Sequence, residues 1–162
     1  MAFKKTATKA SPRNTLSKKA KAAPAGVRPR SETLKISSAS PSFTVNDLEK
    51  SLAWYRDILG LVIEERWERE GRLTGVALRA GGVTFMIGQD DWKKGRDRVK
   101  GEAFRLYCET TQDVDRLAAQ IKARGGRLAQ EPLDESWGAR VLSVEDPDGF
   151  KITIAKMLPR GR

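Results

Sequence analysis

The stretch FRLYCET, residues 104–110, sets a phenol, a thiol and a carboxylate side by side at Tyr107, Cys108 and Glu109. In an extended strand, Tyr107 and Glu109 share one face and Cys108 takes the other. The chain has no histidine. That excludes Ser-His-Asp and Cys-His nucleophile pairs and any imidazole ligand for a metal. A general base has to be Glu, Asp, Tyr or Lys. Glu109 and Tyr107 are the two catalytic candidates, with a purely structural pair as the competing reading. Cys108 is the single cysteine and cannot form an internal disulfide. A buried, inert thiol in a reducing, cytoplasmic setting is expected. There is no P-loop and no dinucleotide-binding glycine fingerprint.

Four tryptophans offer stacking surfaces. Trp137 stands at the mouth of ESWGARVLSVEDPDGFKITI (135–154), a strand–tight turn–strand pattern. It is either a packing ring in a turn or a flat wall for a planar or cationic ligand. Trp67, in EERWERE, is either a dimer contact or a second wall. Trp54, beside Tyr55, falls in a helix, so one of that pair belongs to the core. Trp92, in the charged loop DDWKKGRDRVKG (90–101), is a lid or a surface ring.

These residues need elements to hold them. Residues 1–35 carry ten Lys/Arg and one acid, whereas residues 36–162 carry 21 Lys/Arg and 20 acids, so the net charge of +10 sits almost wholly in the leader. That leader lacks apolar periodicity and is expected to be disordered. It is a solvated leader, a basic arm for nonspecific nucleic-acid contact, or an organellar transit peptide. The leader has no 7–15-residue apolar core, so no secretory signal is expected, and no apolar run approaches the ~18–20 residues of a membrane span. From residue 36 the pattern becomes regular. SFTV (42–45) reads as a strand end and NDLEKSLAWYRDILG as a helix, with Asn46 as N-cap, Leu48, Leu52, Tyr55 and Leu59 on one face, and Gly60 as the stop. LVIEERWERE, RLTGVALRA and VTFMIGQ read as three strands. EAFRLYCET, the helix TQDVDRLAAQIKARGG, and the strands GRLAQEP, WGARVLSVE and GFKITI repeat the order. Residues repeat too. At an offset of 66, Asn46–Lys50 matches Gln112–Arg116 in type; at 67, GVTFMI falls on GFKITI, making Met86 and Thr153 equivalent.

NDLEKSLAWYRDILGL and WGARVLSVEDPDGFKITI, in this order and with this duplication, resemble the vicinal oxygen chelate superfamily of glyoxalases, bleomycin-resistance proteins and extradiol dioxygenases. The resemblance implies an α+β fold of two tandem βαβββ modules forming an open mixed-sheet barrel around a cup. The division expected is a basic tail (1–35), a domain at 36–157 (module one 36–89, loop 90–101, module two 102–157) and a C-terminal tail (158–162). Many members are dimers, in some branches with cups shared between chains. In the catalytic branches, His, Glu or Gln ligands from the first and last strand of each module hold a divalent ion. Those four positions fall here on Ser40, on Met86, on Arg105 or Leu106 (a one-residue insertion near TTQD blurs the register), and on Thr153. None is a usual ligand, so no metal and no cofactor are expected. The metal-free members include drug-sequestering proteins, and the second hairpin looks more like theirs than like that of glyoxalase I.

Strand alternation then nominates the lining of the cup: Ser40, Ser42, Met86, Arg105, Tyr107, Lys151 and Thr153, with Trp137 and Trp67 as walls. The reading is a cytoplasmic, homodimeric, metal-free protein that binds a small organic ligand, with drug or metabolite sequestration as its most concrete form. The alternatives are a metal-independent lyase or isomerase using Glu109 or Tyr107, and a nucleic-acid-associated protein acting through the tail.

Overall fold

The computed structural model describes residues 33–159. Strand β1, Ser42–Val45, buries Phe43 and Val45 and exposes Ser42 and Thr44, the two-residue alternation its sequence predicts. Helix α1 spans Leu48–Ala53. Its N-cap is Asp47, one residue later than the predicted Asn46; the Asp47 carboxylate accepts the backbone N–H of Lys50. The Asn46 backbone N–H is taken by Asp148 instead. The helix ends in a π-turn, Trp54–Ile58, and Gly60 at φ +83° closes it. The wider turn shifts the apolar face. Tyr55 becomes fully buried, and Leu59 only partly so.

Strands β2 (Val62–Arg69), β3 (Arg72–Ala80) and β4 (Val83–Gln89) complete the first sheet, in the order β1-β4-β3-β2 with β1 and β4 parallel. The second sheet repeats the plan with β5 (Arg105–Glu109), β6 (Leu128–Glu135), β7 (Ala139–Glu145) and β8 (Lys151–Met157), ordered β5-β8-β7-β6. Helix α2, Val114–Ala123, follows β5 and is capped by Asp113. The architecture is the expected α+β pair of βαβββ modules.

One hydrophobic core joins both modules. It takes the inner face of the first sheet (Phe43, Val76, Leu78, Ile87), that of the second (Leu142, Val144, Ile152) and residues of both helices. Each large side chain fully buried there contributes about 1.5–3 kcal/mol. The Phe43 ring lies 4.7 Å from Phe150 and 5.6 Å, edge-on, from Phe104, across the module boundary.

The β7–β8 turn pins the modules to one another. Tyr55 Oη donates to Asp146 Oδ2 at 3.0 Å. Asp148 accepts the Asn46 N–H at 3.1 Å and the Ser51 hydroxyl at 3.3 Å. The backbone N–H groups of Asp148 and Phe150 fill the other oxygen of Asp146. The acidic turn of the second hairpin is thus an inter-module fastener. Gly101 passes so close to this turn that a Cβ there would lie 2.2 Å from the Gly149 carbonyl, so only glycine fits at its φ of +63°.

Candidate functional site

In paired strands, residues in register share a face. Across the outward face of the first sheet run two rows. One is Trp67–Gly75–Gly88–Thr44 and the next is Glu65–Ala77–Met86–Ser42. The Trp67 ring covers Gly75, where a Cβ would lie 2.6 Å from Trp67 Cε3. That contact explains an apolar ring in a charged strand: the ring packs on β3 of its own sheet.

The second sheet repeats the pattern. One row is Tyr107–Thr153–Ser143–Gln130 and the next is Glu109–Ala155–Val141–Leu133. Ala139, Val141 and Ala155 form a buried apolar floor on this face. Exposed around it are Tyr107, Leu133, Trp137 and Met157. Trp137 belongs to the β6–β7 turn, and its ring lies 6.0 Å from that of Tyr107. Arg105 and Lys151, paired in register, line a cavity of about 460 Å³ at the end of the same face, together with Glu145 and Glu102.

Strand β5 puts Arg105 on its exposed series and Leu106 on its half-buried one. Ser40 lies before β1. The four expected ligand positions, Ser40, Met86, Arg105 or Leu106, and Thr153, do not fall into one register row: Met86 pairs with Ser42 and Thr153 with Tyr107. Two hydroxyls and a thioether, with a guanidinium or an alkyl chain as the fourth, make a poor set for a divalent ion. The Thr153 hydroxyl is moreover 3.1 Å from Ser143 Oγ and hydrogen-bonded to it. Among the described residues, no three His, Cys, Asp or Glu side chains cluster as a metal site would require. The residues present do not fit the metal of the catalytic branches.

Tyr107 and Glu109 are both exposed on this face. Partial burial, with the Glu109 charge adding to it, pushes the Tyr107 phenol above its ordinary value. Such a phenol stays protonated near neutral pH and supplies a donor rather than a base.

The two candidate faces do not meet within one chain. Both sheets turn their inner faces into the one shared core, so their outward faces look away from it. Of three cavities among the described residues, none is lined by Ser42, Trp67, Met86, Tyr107, Trp137 or Thr153.

Sequence reasoning missed two features. Gly75, Gly88 and Ala77 clear the outward face of β3 and β4 of bulk, which alternation alone does not flag. The 90–101 segment is not a plain charged loop. Lys100 is buried against Asp90, and Trp92 stacks under Arg96 at 4.7 Å rather than standing free as a lid. The Lys100 ammonium and the Trp92 backbone N–H hold the Asp90 carboxyl below its usual value.

A model of the Glyoxalase/Bleomycin resistance protein/Dioxygenase superfamily matches residues 37–154. The lactoylglutathione lyase GLX1 of Arabidopsis thaliana is 26% identical over 122 residues, covering 72% of this chain but 43% of that protein; the chain thus spans less than half of it. A probable lactoylglutathione lyase of Synechocystis is 30% identical over 117 residues, covering 68% of this chain and 87% of its own length. Among solved structures, the antibiotic binding protein TnmS3 from Streptomyces superposes with a TM-score of 0.60 at 22% identity, covering 76% of this chain and 98% of its own. No helix among the described residues is long and apolar enough to cross a membrane.

Proposed function

Because the chain belongs to the Glyoxalase/Bleomycin resistance protein/Dioxygenase superfamily, we propose that it binds a small organic molecule without a metal, in a cup that two copies of the chain complete together. The observation that carries this is the set Ser40, Met86, Arg105 or Leu106, and Thr153. At the positions where the catalytic branches hold a divalent ion, it offers neither carboxylate nor imidazole. What surrounds it suits an organic ligand: an apolar floor, the Tyr107 and Trp137 rings on one sheet, and Met86 with Trp67 on the other. A fold neighbour described as an antibiotic binding protein supports the same reading. The outward faces belong to opposite sides of one core, so a closed cup needs the first sheet of one chain against the second sheet of another. Sequestration of a drug or metabolite in a reducing, cytoplasmic compartment is its concrete form.

Native mass spectrometry of the full-length chain as purified tests it. The expected result is a dimer carrying an organic mass and no metal. One metal ion per chain would return the protein to the metal-dependent branches. Trp137→Ala should weaken binding of the co-purified molecule about tenfold without unfolding the chain; unchanged affinity sinks the stacking role.

A second reading, prompted by relatives named lactoylglutathione lyase, is an enzyme of lyase or isomerase type working without a metal through Glu109 or Tyr107. Lyase activity that needs no added divalent ion and is lost in Glu109→Gln would establish it. The charge of residues 1–35 supports an added nucleic-acid contact. Nearly all of that tail lies outside the described residues. Salt-sensitive retention on DNA, abolished by deleting 1–35, is its test.

A further inference from the structure

We propose that the cavity between the two modules is a second binding site, for a small apolar molecule bearing one carboxylate. It is independent of the cup described above, since it opens between the modules rather than on the outward sheet faces.

The cavity measures about 460 Å³, which is within the size range of small-molecule sites. Module one contributes Leu59, Leu61 and Phe85 to its wall, and module two contributes Leu117, Ile121 and Ile154. Several of these belong to the shared core, so the cavity is a gap in an otherwise close-packed apolar interior. The β3–β4 turn, Gly81–Gly82, stands at its edge, and a Cβ at either glycine would meet nothing within 4 Å. The entrance is therefore open.

The polar groups at the rim select the ligand. Arg124 caps the C-terminus of α2 and reaches across to module one, where Gly60 leaves room for its guanidinium. Its one side-chain hydrogen bond among the described residues is long, from Nη1 to the Ile58 carbonyl at 3.4 Å. Among the described residues it has no carboxylate within ion-pair distance. A guanidinium with most of its donors unused, beside an apolar cavity, is suited to a carboxylate whose hydrocarbon body lies inside. Glu109 also lines the cavity, although in register it belongs with Tyr107 to the outward series of β5 and Cys108 to the other. Gln112, Gln120 and Thr110 complete the rim with neutral polar groups.

Cys108 makes the site testable, because it lines the cavity and is the only cysteine of the chain. Burial pushes its thiol up, so labelling is followed at mildly alkaline pH. The full-length protein is titrated with octanoate or with 1-octanol, and the rate of Cys108 modification by N-ethylmaleimide is read. Both probes should slow labelling to saturation. Arg124→Gln should weaken protection by octanoate about tenfold and leave that by octanol unchanged. Arg124→Lys, which keeps the charge, should retain most of the octanoate protection. Leu117→Trp, which fills the cavity, should remove saturable protection by both. Labelling unaffected by either probe overturns the site. Equal loss of both protections in Arg124→Gln overturns the carboxylate assignment. Protection that follows protein concentration rather than octanoate assigns the cavity to a second copy of the chain and overturns the proposal. Melting temperatures of the variants separate loss of the site from loss of the fold.

Discussion

Asp146 concentrates at one residue the cost and the use of a buried charge. Burial pushes its carboxyl above the usual range, and the N–H of Phe150, the Tyr55 hydroxyl and the N–H of Asp148 partly oppose that. A folded-state pKa above the unfolded one means that folding favours the protonated form. That stability is complete below the unfolded pKa and is lost as pH rises through the folded pKa. Tyr55→Phe removes a donor to the ionised form and leaves a buried carboxylate short of a partner. It should cost about 1–3 kcal/mol near neutral pH and less in acid, where the carboxyl is protonated in both states. Urea unfolding of both proteins at the two pH values reads this directly, and an equal loss in acid would contradict the assignment. At this scale the sequence was partly legible. The duplication identified Met86 and Thr153 as equivalents. The position in β5 stayed open between Arg105, on the exposed series, and Leu106, on the half-buried one, because a single-residue slip in a strand moves every side chain to the other face.

Elements show how glycine and a bulky ring shape one sheet. Gly75 is buried with Trp67 lying over it, and a Cβ would also come within 3.0 Å of the Ile87 carbonyl. Gly75→Ala should destabilise the chain by about 1–3 kcal/mol through overpacking. In a Trp67→Ala background part of that loss should disappear; a strictly additive double mutant in thermal unfolding would refute the contact. The cap of α1 gives a second case. Asp47→Ala should cost about 1 kcal/mol by freeing the Lys50 N–H, whereas Asn46→Ala should cost less, since the Asn46 side chain caps nothing. Strands β1 and β4 were legible nearly to the residue, because period-two burial is written locally in them. The π-turn was not. It depends on Tyr55 reaching Asp146, 91 residues away.

On the scale of the whole molecule, one chain places two candidate faces on opposite sides of a common core. The second face exposes Tyr107, Leu133, Trp137 and Met157 together, a patch that a partner copy would cover. Leu133→Lys within it should weaken self-association at least about tenfold while leaving the melting of the dilute chain unchanged. Sedimentation velocity across a concentration series distinguishes this. A dimer as tight as the unsubstituted one would place the interface elsewhere.

Alternation, the helical period and an internal repeat are local properties, and each can be read from neighbouring residues. By itself the sequence therefore determined the two βαβββ modules, the inward series from Phe43 to Ile152, and the loss of all imidazole chemistry. Tertiary structure decided what depends on distant partners. It chose Asp148 rather than a solvent molecule for the Asn46 N–H, buried Lys100 on Asp90 inside a segment that looks uniformly solvated, and left a gap between modules beneath Arg124. Such pairings join residues up to 102 positions apart. Their energies come from desolvation and close packing, which exist only once the chain has brought those residues together.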